Sequence, residues 1–135
     1  VNANYYNKIT NKLLNTCKNI LKKNKIKVSL IKAPGVFEIP ISIRKNINKF
    51  DGFVALGCVI KGETPHFDLI CKTSFDAIIT LSINYNKPIS NGIITALNKK
   101  QAYKRCGIIN SNKPNKGLEA ANALLAILEN GPKKI

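Results

Sequence analysis

Lys61-Gly62-Glu63-Thr64-Pro65-His66 brings together groups that can hold an anion and move a proton, and His66 is the single histidine of the chain. The preceding run, GFVALGCVI from Gly52 to Ile60, is apolar without polar alternation, the pattern of a strand covered on both faces. After it, Thr64 is placed as an N-cap and Pro65 as the first helical residue, where its missing N–H costs nothing. His66 then falls in the first turn of a helix. Unpaired N–H groups and the positive end of the helix dipole favour an anion there, with Lys61 and the flexible Gly62 just before it. The expected chemistry is a phosphate cradle with an acid/base group at its edge.

Other polar residues fall at comparable places. Glu38 follows a strand-and-turn signal, Ala33-Pro34-Gly35, beside apolar neighbours that would shield it; it could equally serve the N-terminus of the next helix. Asn91 and Gly92 interrupt an apolar strand, which suggests either close approach of the backbone to a ligand or a bulge. Tyr5 and Tyr6 stand near the beginning of the chain, where an aromatic pair either covers a core edge or offers a stacking surface. Cys17, Cys58, Cys71 and Cys106 are too widely spaced for a paired metal or redox motif and read as reduced, structural thiols.

Alternating strands and helices must position these groups. Residues 1–9 read as a strand end and a loop. From Thr10 to Lys23, Leu13, Leu14, Cys17, Ile20 and Leu21 recur at helical spacing, with Thr10 as cap and Lys22-Lys23-Asn24-Lys25 at the C-terminus. Ile26, Val28 and Leu30 alternate with polar residues as a strand ending near Lys32. A second helix starts near Pro40, and the helix from Pro65 runs to Ile83 with Phe67, Ile70, Cys71, Phe75, Ile78 and Ile79 inward. Pro88–Thr95 is a strand, Lys99–Arg105 a short helix, 107–115 a loop, and Lys116–Asn130 a helix stopped by Gly131-Pro132. This order predicts an α/β layer structure with helices on both faces, in which ligands gather at the carboxyl ends of the strands.

The chain of 135 residues reads as a single domain over 1–135. It has neither a long apolar span nor a charged-then-apolar leader, so the expectation is a cytoplasmic protein without membrane partners. The chain begins at Val1 and contains no Met, so the native start is expected upstream. A formal net charge of +15 invites a nucleic-acid reading. Lys, Asn and Ile nevertheless number 20, 18 and 20, the bias of A- and T-rich codons, and the lysines are scattered without interleaved arginines and aromatics. Nucleic acid is therefore not expected as a partner.

PGVFEIP at 34–40, ALGCVIKGETPHFD at 55–68, PISNGIIT at 88–95 and NKGLEAA at 115–121 together resemble lumazine synthase in order and spacing. GxxTPH alone would be weak; four separated blocks spanning nearly the whole chain are specific. The resemblance implies a flavodoxin-like three-layer α/β/α sandwich with a mainly parallel four-stranded sheet, and active sites shared between neighbouring subunits of a ring. Enzymes of that family, transferases of riboflavin biosynthesis, condense 5-amino-6-(D-ribitylamino)uracil with 3,4-dihydroxy-2-butanone 4-phosphate. They form 6,7-dimethyl-8-ribityllumazine and release phosphate and water, with no metal or organic cofactor.

By the same resemblance, His66 is the catalytic acid/base group, and Gly62, Glu63 and Thr64 bind the phosphate together with Arg105 of a neighbouring subunit. Glu38 accepts hydrogen bonds from the ribityl hydroxyls, Val36 and Phe37 give backbone contacts, and Val59 and Ile60 line the pyrimidine slot. Lys116 is similar to the lysine near the substrate in the adjacent subunit. The sequence departs from the family pattern at several points. Asn4-Tyr5-Tyr6 stands where an Arg-aromatic-Asn sequence is usual, which shifts Tyr5 towards stacking on the pyrimidine. Lys61 replaces a frequent Arg and loses the planar fork. Asn91, counted with the substrate-binding set, takes a place often held by Phe. Nine residues separate Arg105 from Asn115, a longer join than in compact members, and this favours a homopentamer over a sixty-subunit shell. A non-catalytic flavin- or lumazine-binding module is the alternative, and the retained His66, Glu38 and Arg105 argue against it.

Overall fold

The computed structural model describes residues 1–129. Its sheet has four strands: β1 (Asn2–Ala3), β2 (Lys32–Ala33), β3 (Phe53–Ile60) and β4 (Ile89–Ala96). All pairings are parallel, in the order β2-β1-β3-β4. Five helices connect them: α1 (Asn7–Lys23), α2 (Ile39–Arg44), α3 (His66–Asn84), α4 (Lys99–Arg105) and α5 (Lys116–Glu129). The expected α/β sandwich and its parallel sheet are both present. The Gly131-Pro132 stop lies outside the described residues.

The alternation of β3 divides its apolar side chains between two cores. Val54, Leu56 and Cys58 join Leu13, Cys17 and Leu21 of α1 and Ala120, Ala121 and Leu124 of α5. Phe53 and Ala55 join Ile39 and Ile43 of α2 and Ile78 of α3. Helices therefore cover both faces, which is why β3 reads as an unbroken apolar run.

Three glycines permit the close approaches that this layering needs. A Cβ on Gly57 would lie 2.7 Å from Val36 Cγ2 and 3.3 Å from the Ala3 Cβ, so Gly57 lets the turn after β2 press on β3. A Cβ on Gly92 would meet Leu56 Cδ2 at 2.6 Å and the Ala120 Cβ at 3.0 Å. Gly117 brings the first turn of α5 against the backbone of α1 at the Leu13 carbonyl.

The structure corrects several expectations. Tyr6, not Thr10, is the N-cap of α1, and its carbonyl accepts from the N–H groups of Ile9 and Thr10. The chain turns directly after β1, so the helix starts a turn earlier and Thr10 falls on its buried stripe. The helix ends as expected at Lys22-Lys23, with Lys25 in the left-handed region at φ 62°. The strand expected from Ile26 to Lys32 is confined to Lys32–Ala33. Its partner β1 is only two residues long, so the alternating residues before Lys32 have no ladder to join. Pro65, not Thr64, is the N-cap of α3, since the Pro65 carbonyl accepts the first helical bond from Leu69 N–H at 3.2 Å. Ile79 is exposed rather than inward. Asn91 and Gly92 form no bulge; β4 stays in register with β3 from Phe53↔Ile89 to Ile60↔Ala96.

Replacing Gly117 by Ala would drive a methyl group into the α1 backbone. The expected outcome is a loss of about 1–3 kcal/mol in chemical denaturation, typical of overpacking where neither backbone can retreat.

Candidate active site

The sheet order creates the site. From β1 the chain crosses through α1 to β2 on one side, whereas from β3 it crosses through α3 to β4 on the other. The strand order thus reverses between β1 and β3, and the turns leaving their carboxyl ends diverge to leave a crevice. A cleft of about 620 Å³ occupies that place.

Each wall derives from one strand end. Leaving β1, Tyr5 and Tyr6 stand at one side, their rings edge-to-face with centroids 4.9 Å apart. Tyr5 is 75% exposed, so one ring face is free to stack, while Tyr6 packs on the core. Leaving β2, the chain passes Gly35 and enters one turn of 3₁₀ helix, Val36–Glu38, which presents Phe37 and Glu38 to the cleft. The Glu38 carboxylate folds back over Gly35, where a Cβ would sit 2.9 Å from Oε2. Leaving β3, Cys58, Val59 and Ile60 form the floor.

Beyond β3 the chain is pinned by Lys61 N–H donating to the Ala96 carbonyl at 2.8 Å, and it then turns through Gly62, Glu63 and Thr64 into α3. A Cβ on Gly62 would meet nothing within 4 Å, so this turn faces open space. Among the described residues, no acceptor takes the N–H groups of Gly62, Glu63 or Thr64. With the unpaired donors at the start of α3, they form an array suited to an anion. His66, Phe67 and Ile70 line the same side. The arrangement offers an aromatic face, a carboxylate, an anion cradle and one imidazole around a partly apolar slot.

The structure thus brings together Tyr5, Val36, Phe37, Glu38, Val59, Ile60, Gly62, Thr64 and His66, with Glu63 exposed on the connecting turn. Three residues of the expected set lie elsewhere. Asn91 sits in the middle of β4, its Oδ1 accepting from Ile93 N–H at 2.9 Å. Arg105 and Lys116 lie beyond β4, where both bind Glu119. Gly35, Cys58, Phe67 and Ile70 line the cleft without having been expected there from the sequence, and Tyr6, the other member of the aromatic pair, lines it beside Tyr5. Cys58 had one available signal: it stands in the last turn of pleat before the carboxyl end of β3, where ligands gather.

Burial pushes the Cys58 thiol up to about 12, with Cys106 and Cys71 adding to it, and the Cys17 thiol up to about 11. Burial also raises the Tyr6 phenol. No group of three or more His, Cys, Asp or Glu among the described residues could hold a metal ion, and no described helix is long and apolar enough to cross a membrane.

Residues 1–130 match the family model of 6,7-dimethyl-8-ribityllumazine synthase. The chain belongs to that family. The 6,7-dimethyl-8-ribityllumazine synthase of Bartonella bacilliformis is 37% identical over 131 residues, covering 94% of this chain and 86% of its own. Those of Aliarcobacter butzleri and Campylobacter jejuni strain RM1221 are 35% and 36% identical, covering 96% and 95% of this chain and 84% of their own. Membership in the 6,7-dimethyl-8-ribityllumazine synthase family makes the chain a transferase of riboflavin biosynthesis.

The loop expected at 107–115 is closed at its base by Asn115. Its Nδ2 donates to the Cys106 carbonyl at 2.7 Å, and its Oδ1 accepts from Gly117 N–H at 2.7 Å, capping α5 beside Lys116. Replacing Asn115 by Ala is expected to cost about 1 kcal/mol or somewhat more in thermal unfolding, as for other lost caps.

Proposed function

We propose that this cleft is the place where 5-amino-6-(D-ribitylamino)uracil meets 3,4-dihydroxy-2-butanone 4-phosphate, with residue roles that follow from the chemistry each wall can supply. The uracil ring lies on Tyr5 and against Val59 and Ile60, and Glu38 accepts hydrogen bonds from the ribityl hydroxyls. Val36 and Phe37 offer backbone groups to the same substrate. The butanone phosphate places its anion on the Gly62-Glu63-Thr64 turn.

The reaction then needs proton movement more than any new bonding partner from the protein. The substrate's primary amine attacks the ketone carbonyl and a first water leaves as the imine forms. Phosphate is then eliminated, the resulting enol becomes a second carbonyl, and the ribitylamino nitrogen attacks that carbonyl to close the ring with loss of a second water. His66 stands between the phosphate turn and the apolar slot, where it can relay protons to the departing groups. The observation that carries this reading is the meeting of His66, Glu38 and the open Gly62–Thr64 turn in one cleft.

We further propose that the working unit is a homopentamer in the cytoplasm. Arg105 and Lys116 lie outside the chain's own cleft, so their phosphate- and substrate-binding roles would be exercised on a neighbour. Support comes from the outer face of α3, where Leu69, Ile79 and Ile83 are 64%, 55% and 71% exposed and require cover. The nine residues between Arg105 and Asn115 favour five subunits over a sixty-subunit shell. Four free cysteines suit a reducing compartment.

Replacing His66 by Ala is expected to slow lumazine formation about a hundredfold while leaving substrate binding largely intact. Turnover is followed by the fluorescence of the product in a mixture of the two substrates, and an unchanged rate would remove His66 from the mechanism. Native mass measurement of the purified protein should give five chain masses; a single chain or sixty would overturn the proposed assembly.

A further inference from the structure

Glu119 is the one carboxylate that holds both cations outside the cleft, among the described residues. Its Oε2 accepts from Arg105 Nη2 at 2.8 Å and lies 3.2 Å from Lys116 Nζ. Lys116 and Glu119 share a face of α5 at the i,i+3 spacing, whereas Arg105 arrives from the end of α4. The other terminal nitrogen of Arg105, Nη1, donates to the Pro114 carbonyl at 2.8 Å. All three side chains are partly buried.

Two acceptors on two different nitrogens fix the plane of the guanidinium. A guanidinium carries five N–H groups, so three remain free after these two bonds. Arg105 lines a basin of about 670 Å³ together with Gln101, Lys104 and Lys113, and no carboxylate is among its lining residues. Without Glu119, Arg105 and Lys116 would repel one another, and Arg105 would retain only the Pro114 anchor. Burial works against the charge on Glu119, but hydrogen bonds from Arg105 and Lys116 outweigh it and hold the carboxyl below its usual range.

We propose that Glu119 is a positioning residue for the phosphate-bearing substrate: it clamps Arg105 beside Lys116 so that the remaining guanidinium donors face the anion. This rests on the reading of Arg105 as a phosphate-binding group. Glu119 need not touch the substrate itself, and its own charge opposes the anion, so its benefit must come through the geometry of Arg105.

The test uses the full chain in its native assembly and steady-state kinetics with each substrate varied in turn. E119A is expected to raise KM for 3,4-dihydroxy-2-butanone 4-phosphate roughly tenfold, about the effect of losing one well-placed charge-assisted hydrogen bond. KM for the ribitylaminouracil should stay within twofold. E119Q keeps an acceptor of the same reach and should give a smaller rise. R105A should raise the same KM, and R105A/E119A should do no worse than R105A, because a residue that acts through Arg105 has nothing left to position. If E119A lowers KM for the phosphate substrate, Glu119 merely repels the anion and the proposal fails. It also fails if E119A leaves that KM unchanged while R105A raises it, if the two losses add, or if both substrates weaken alike. If R105A itself has no effect on that KM, the reading of Arg105 falls instead.

Discussion

The pairing of β1 with both of its neighbours is the constraint on which the rest depends. Asn2 and Ala3 are only two residues, yet they separate β2 from β3 and so create the reversal at which the cleft opens. Backbone bonds hold this narrow joint from both sides: Asn2 N–H donates to the Ile31 carbonyl, Asn4 N–H to the Ala33 carbonyl, and Leu56 N–H to the Val1 carbonyl, each at 2.8 Å. Ala3 is also small enough for the turn after β2 to lie against Gly57. Tyr5, Glu38 and the floor of β3 meet because three strands end side by side around that joint.

Where two elements share a face, their small residues decide how finely the site is placed. Gly57 admits Val36 to the surface of β3, and the turn that carries Phe37 and Glu38 follows from that contact. Gly92 and Gly117 do the equivalent on the opposite side, fitting α5 to the sheet and to α1. The position of α5 in turn determines where Lys116 and Glu119 stand relative to α4. A glycine that resembles a ligand contact in sequence, such as Gly92, is here a helix-packing residue.

The covered strand β3, the amphipathic α1 and the polar turn into α3 were legible from residue pattern because each depends on local periodicity and capping chemistry. Strand limits were less so. Ile26, Val28 and Leu30 alternate as a strand should, but a strand exists only where a neighbour offers a ladder, and the shortness of β1 is not written into residues 26–30. Thr64 has the chemistry of a cap, yet the chain turns one residue later. Cleft membership was readable for Val36–Glu38 and Gly62–His66, which follow strand ends; Asn91, in mid-strand, carries no such signal. Cys58 enters the cleft through tertiary placement. The link between Arg105 and Glu119 spans two helices and a loop, a distance no spacing rule covers, although the Lys116–Glu119 half of it is an ordinary helical interval.

The thiol on the cleft floor bears on chemical selectivity. Ketones and the unsaturated carbonyl compounds derived from them are attacked by thiolates as well as by amines, and Cys58 lines the cleft. Burial pushes its thiol up to about 12, so the protonated form, a poor nucleophile, prevails at neutral pH. The wall is therefore soft and polarisable without being reactive. On the cleft floor the incoming amine meets no competing thiolate from Cys58.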